Sequence, residues 1–196
     1  SWSASGSVKK GEKDPSVSVP AVTSPGTTFS DIRNNENRAA IEALASRGII
    51  NGISKTSFQP DKTMTRAEFA AIVTRALGLP EKKTASFTDV SSGAWYAGYI
   101  GAANSAGIVN GVGGGKFNPG GTITRQEAAA MVVRAAKLCG LDTAMTEQEI
   151  SSEMVQFGDY RAVSAWARAP LAYCYAAGIL DHGEKIQPTQ AIVRGE

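Results

Sequence analysis

Thr65-Arg66-Ala67-Glu68-Phe69-Ala70-Ala71-Ile72-Val73 returns further along the chain as Thr124-Arg125-Gln126-Glu127-Ala128-Ala129-Ala130-Met131-Val132. In both stretches a Thr stands three residues before a Glu, ahead of an apolar run. That is the spacing of a capping box, in which the hydroxyl accepts from one free helix amide while the carboxylate accepts from another. The pattern therefore predicts a helix opening at Thr65 and at Thr124, and capping accounts for Thr65, Glu68, Thr124 and Glu127 without any ligand.

Working outward, more of the chain repeats. The first copy runs Phe29-Ser30-Asp31, Ala40-Ile41-Glu42-Ala43-Leu44-Ala45, Gly48-Ile49-Ile50-Asn51-Gly52 and Phe58-Gln59-Pro60 before it reaches Thr65. The second runs Phe87-Thr88-Asp89, Gly107-Ile108-Val109-Asn110-Gly111 and Phe117-Asn118-Pro119 before Thr124. One offset relates Gly48 to Gly107, Pro60 to Pro119 and Arg66 to Arg125. The third copy runs Phe157-Gly158-Asp159, Gly178-Ile179-Leu180-Asp181 and Ile186-Gln187-Pro188 before Val193-Arg194-Gly195-Glu196. It lies farther from the second than the second does from the first, and the added length falls between Leu138 and Gln156. Apolar residues at helical spacing followed by Gly48, Gly107 and Gly178 predict that each copy opens with a short helix ended by a left-handed glycine. The fold class is all-α: three tandem helix-loop-helix repeats packed as a pseudo-threefold helical bundle, since one such unit cannot bury its own apolar face. The boundaries are 1–28 as a linker or the tail of a preceding domain, 29–86, 87–156 with an insertion, and 157–196 with the third copy cut short.

From Phe29 to Glu196 these motifs resemble the S-layer homology family, whose repeats carry an F-x-D opening, a Trp at the first helix, a G-I-I-x-G turn, an F-x-P loop and a T-R-A-E motif. The resemblance implies a three-pronged helical domain that holds an exported bacterial protein on secondary cell-wall polysaccharide, through a terminal pyruvylated sugar, in grooves between adjacent repeats. It also implies an extracellular location in the cell wall or S-layer. A helical-repeat module that docks protein, including other S-layer subunits, is the alternative.

Capping does not account for the arginines. A cation at the first helical position faces the positive end of the helix dipole, so something outside the helix uses Arg66 and Arg125. An anionic ligand meeting guanidinium and free helix amides, and a structural partner in a neighbouring repeat, are both open. Arg194 occupies the same place in the third copy, where Val193 cannot cap. Trp95 and Trp166 hold matching positions five residues before Ile100 and Leu171, as sugar-stacking faces or as packing. The first copy has no such aromatic. Asp31, Asp89 and Asp159 share one slot, suited to capping the first helix, ordering a turn or accepting a sugar hydroxyl. Lys55 and Lys116 sit at matching loop positions and add positive potential.

Composition narrows the rest. A formal net charge of +2 over 196 residues carries no basic excess for nucleic acid, and no apolar stretch is long enough to insert in a membrane. The single histidine, His182, reads as a surface loop residue, and Cys139 and Cys174 as core residues with no metal spacing. No metal, no cofactor and no catalytic pair is expected. The start at Ser1-Trp2-Ser3 reads as a fragment or a processed product.

Overall fold

The computed structural model describes residues 11–83 and 87–196. Residues 1–10, where the tail of a preceding domain is expected, lie outside the described residues, as do 84–86. The structure is helical, with no strand among the described residues, and the chain divides into two compact units. The first unit comprises Pro15–Ile123 with Ala191–Glu196, and the second is built on Thr124–Gln190.

The first unit holds α1 (Arg38–Ser46), α2 (Arg66–Ala76) and α3 (Ala97–Ser105). At the head of α2 the Thr65 hydroxyl accepts from the Glu68 amide at 3.1 Å, and the Thr65 amide donates to the Glu68 carboxylate at 3.3 Å. The helix packs on α3, where the Thr74 hydroxyl donates to the Tyr99 carbonyl at 3.3 Å, and Ala67, Ala70, Ala71, Ala97, Ala102 and Ala103 of the two helices are all buried. Ile41, Ala45, Ile50, Phe29, Ile32 and Phe58 form a second apolar cluster under α1. Phe58 and Phe117 are fully buried, each worth roughly 1.5–3 kcal/mol in burial. Each also meets the Phe that opens its own copy, with Phe29 5.3 Å and Phe87 5.4 Å away.

One residue from each sequence copy meets in the first unit. The Met64 amide donates to the Ile192 carbonyl at 3.2 Å, Ile192 to Ile123 at 3.1 Å, and Ile123 back to Met64 at 3.0 Å. The three residues are buried and stand at equivalent positions, immediately before Thr65, Thr124 and Val193. Every backbone amide in this ring is satisfied by another copy, as a buried polar group requires.

The second unit holds α4 (Arg125–Leu138), α5 (Glu147–Met154) and α6 (Ala165–Ala176). Thr124 and Glu127 repeat the capping box. The insertion within 87–156, ahead of the third copy, forms α5, whose Ile150 and Met154 pack with Phe157, Leu171, Ala172 and Ile186 in one apolar cluster. Gln126, which stands where the first copy has Ala67, exchanges two hydrogen bonds with Ser164, the residue that starts α6. His182 is exposed but pairs with Glu153 of α5 at 2.5 Å. Cys174 is buried as expected; Cys139 is instead exposed, because it falls past the last turn of α4, at its C-cap.

The described part of the segment read as a linker is docked on helix ends. In the first unit Ser18 donates its amide to the Leu77 carbonyl at 2.8 Å, and Thr23 and Ser24 donate to Ser46. In the second, Asp14 donates to Leu138 at 2.8 Å. These are the carbonyls that a helix C-terminus leaves without partners, and polar residues of no helical period can serve them.

The three aspartates order the F-x-P loops of their own copies and cap no helix. Asp31 accepts from the amides of Phe58 and Gln59, Asp89 from Phe117 and Asn118, and Asp159 from Ile186 and Gln187, at 2.7–3.1 Å. Gln59, Asn118 and Gln187 have φ of 55°, 58° and 52°, a left-handed backbone that side chains rarely adopt. Each carboxylate grips the amide of a strained residue and of its buried predecessor, which offsets a strain of about 1–3 kcal/mol.

These contacts set how the fold responds to substitution and to acid. Gly48 and Gly78 both have positive φ, but a side chain at Gly48 meets open space, whereas at Gly78 it would strike the Ser18 carbonyl. Gly48→Ala is expected to cost about 1 kcal/mol. Gly78→Ala should cost distinctly more, because it must also displace the docked segment; chemical denaturation of the two variants compares them. As for acid, the Phe58 amide and then Gln59 hold the Asp31 carboxyl below its ordinary value, and the Phe117 amide does the same for Asp89. Burial alone would raise Asp159, but the Ile186 and Gln187 amides more than offset it. A carboxyl depressed in the fold stabilises fully above its unfolded value of about 3.9 and loses that contribution as pH falls through the folded value. The thermal midpoint should therefore be level above about pH 5 and fall below about pH 4. Asp89→Asn should lower the midpoint at neutral pH and flatten its acid dependence.

Candidate functional site

Three arginines at equivalent positions make the same contact. Arg66 Nε donates to the Phe117 carbonyl at 2.9 Å, Arg125 Nε to Ile186 at 3.0 Å, and Arg194 Nε to Phe58 at 2.9 Å. Each arginine thus reaches the F-x-P loop of the following sequence copy, and that of the third copy reaches the first. The backbone beside each arginine reinforces the contact. Arg66 and Ala67 donate their amides to Gly121 and Pro119, Arg125 and Gln126 to Gln190 and Pro188, and Arg194 and Gly195 to Lys62 and Pro60. Three donors meet alternate carbonyls of one extended loop. The helix-start amides that an anion would have used are thereby engaged by protein.

Beyond this shared contact the arginines differ. Arg66 is 5% exposed, its guanidinium 4.8 Å from the Phe117 ring centroid, and burial pulls its pKa down with Asp89 acting against the shift. Arg125 is half-buried and lies beside the Tyr175 hydroxyl. Arg194 is 9% exposed and lies 4.5 Å from the Phe58 ring centroid; Nη2 donates to the Asn51 carbonyl at 2.5 Å. Burial lowers its pKa also, opposed by Glu68 and Asp31. Arg66 and Arg194 nevertheless remain charged at any physiological pH.

The first unit carries a groove of about 510 Å³. The cap and body of α2 contribute Thr65, Ala67, Glu68, Ile72 and Arg75, the turn before α3 contributes Trp95 and Tyr96, and Lys62, Asn51, Gly120 and Arg194 are among the loop residues that line the rest. Trp95 is 56% exposed, far too open for a packing residue of its size, and it stands edge-on to Tyr96 at 5.4 Å and to Tyr99 at 6.5 Å. Of the charged lining groups, Lys62, Arg75 and Arg194 are cationic and only Glu68 is acidic. The Glu68 carboxylate is already occupied in the capping box. The groove therefore presents positive charge beside an indole face, the chemistry that suits an acidic sugar.

The residues singled out in the sequence are distributed unevenly around this groove. Arg194 and Trp95 line it, with Thr65 and Glu68; Arg66 does not. Asp31 and Asp89 spend both carboxylate oxygens on loop amides. Lys55 and Lys116 are exposed on the turns that precede Phe58 and Phe117, and neither lines the groove. In the second unit Trp166 is 54% exposed on the first turn of α6, while Asp159 is bound to its loop. Arg75, Tyr96 and Lys62 were not singled out. Arg75 had a signal: it recurs in the second copy as Arg134, in the last half of α4, at the offset that relates Arg66 to Arg125.

The S-layer homology domain model matches residues 28–70 and 86–129. Among curated proteins, the amylopullulanase of Thermoanaerobacterium thermosulfurigenes is 39% identical over 155 residues, covering 79% of this chain and 8% of its own length. The surface-layer 125 kDa protein of Lysinibacillus sphaericus is 34% identical over 75% of this chain and 12% of its own. The S-layer protein sap of Bacillus anthracis is 32% identical over 91% of this chain and 21% of its own. The chain thus corresponds to a small part of each of these longer proteins. Among the described residues no helix is long and apolar enough to cross a membrane. The relatives indicate a place at the cell surface, in association with the wall. With its motif order, its arginine contacts and two matched repeats, the chain belongs to the S-layer homology family.

Proposed function

We propose that this chain attaches a larger exported protein to the cell wall by binding an acidic secondary wall polysaccharide, pyruvylated at its end, in the groove of the first unit. The observation that carries this reading is the lining itself. Three cations face one occupied carboxylate, beside an indole that more than half exposes its surface. A ketal carboxylate would pair with Arg194 and Lys62, and Trp95 would cover the C–H face of the sugar ring. Residues 157–196 are read as a third repeat of the same unit, because Asp159 and Arg125 bond its F-x-P-like loop as their counterparts bond the other two. Attachment, with no reaction of its own, is the role.

Co-sedimentation tests it with three wall preparations: intact sacculi, sacculi stripped of polymer, and sacculi whose polymer lacks pyruvate. Sedimentation with the first alone is expected. Equal sedimentation with all three would overturn the proposal, and retention by depyruvylated polymer would transfer the contact to another group or to protein. Trp95→Ala should weaken binding by about tenfold or more, the loss of one stacking contact. Arg194→Gln should weaken binding as well and also lower the thermal midpoint, because it removes the buried bonds to Phe58 and Asn51. Arg66→Ala should act differently: it removes the buried bond to Phe117 and lowers the thermal midpoint.

A further inference from the structure

Resting on the reading of the groove as an acidic-sugar site, we infer that it takes two acidic groups of one oligosaccharide, with Arg75 as the residue that reads the second. α2 and its cap line the groove with Ala67 and with Thr65, Glu68, Ile72 and Arg75, the last four sharing one face from the helix cap to its last turn. At 1.5 Å of rise per residue that face is about 15 Å long, more than a single pyranose occupies. Its two ends carry separate positive charge. Arg194 donates its amide to the Lys62 carbonyl and its guanidinium to Asn51, so both cations belong to the Thr65 end. Arg75 lies in the last turn of α2, at the other end.

Arg75 is held there in a receptive state. Its guanidinium sits 4.6 Å from the centroid of the Tyr99 ring, and Trp95 stands edge-on to the same ring. A guanidinium held over an aromatic face keeps N–H donors that can pair with a carboxylate through two parallel bonds. Among the described residues no carboxylate pairs with it. The only acidic residue in the lining, Glu68, is bound to Thr65 a little under two turns away. Trp95 and Arg75 share the Tyr99 ring, so a sugar lying on Trp95 has the Arg75 guanidinium beside it, while Arg194 and Lys62 belong to the other end of α2. Terminal carboxylate at Arg194 and Lys62, a sugar ring on Trp95, and an internal carboxylate at Arg75 fill the groove from end to end.

The test compares two ligands, the isolated pyruvylated terminal monosaccharide and an oligosaccharide released from native wall polymer with its internal acidic groups intact. Titration calorimetry measures both against the wild-type chain and its Arg75→Gln and Arg75→Lys variants. Arg75→Gln should weaken the oligosaccharide about tenfold and leave the monosaccharide unchanged, and Arg75→Lys should recover part of the loss. Affinity of the unaltered protein for the oligosaccharide should also fall more steeply with added salt than its affinity for the monosaccharide, since two exposed charges are matched in place of one. The inference is overturned if Arg75→Gln weakens both ligands alike, if it weakens neither, or if the two salt dependences coincide. Failure of the wild-type chain to bind either ligand would instead overturn the acidic-sugar reading beneath it.

Discussion

Everything described at the groove depends on how one sequence copy grips the next. At each such contact an arginine Nε and two successive backbone amides donate to three alternate carbonyls of a loop. In the first unit the residues just ahead of this grip close a ring of backbone hydrogen bonds through Met64, Ile123 and Ile192. A net contribution of about 1 kcal/mol per bond is modest singly, but these bonds are buried, and breaking one leaves a polar group without a partner. An arginine at the unfavourable end of a helix dipole is thus explained by the carbonyl it reaches. For Arg66 and Arg194 the same guanidinium lies over the Phe that the loop buries, so the bond and the stacking contact fix each other.

The grip needs a loop of fixed shape, and the aspartates provide it. Each holds a left-handed, non-glycine residue and the residue before it, and so presents the following carbonyls in the alternation that the arginine and its neighbours meet. The Asp, the left-handed residue, the proline after it and the arginine that reaches them are consequently one mechanical unit. Spending the aspartates and the helix-start amides on this unit leaves the groove with three cations, an indole and a single acid, Glu68, which serves the capping box. Its charge is a by-product of what the fold has already consumed.

Position by position, the motifs differ in how far their chemistry was legible. Thr65 and Glu68 announce a capping box because both partners lie within one turn of each other. The helices that end at Gly48, Gly107 and Gly178 are legible for the same reason, as are the copies themselves. Arg66 and Arg194 show where local reading stops. Their motifs look alike and both guanidinium groups lie over a buried Phe, yet only Arg194 lines the groove, because each is placed by a distant loop, 51 and 136 residues away in the chain. Arg75 lies outside the motif, and its role rests on the Tyr99 ring beneath it, a contact between two different helices. The docking of residues 11–28 on helix ends was equally hidden, since its polar, proline-containing composition is that of a linker.

The helical class, the order of the repeated motifs, the capped starts of α2 and α4, and the family are readable in the residues alone. All of these rest on contacts between residues close in the chain or on the recurrence of a pattern. Only the tertiary structure decided which arginine lines the groove, that each aspartate serves the loop at the far side of its own copy, and that α2 lays two separated cationic sites along one groove. Those outcomes turn on burial and on the competition of distant carbonyls for the same donors, and neither quantity is written in any local stretch of residues.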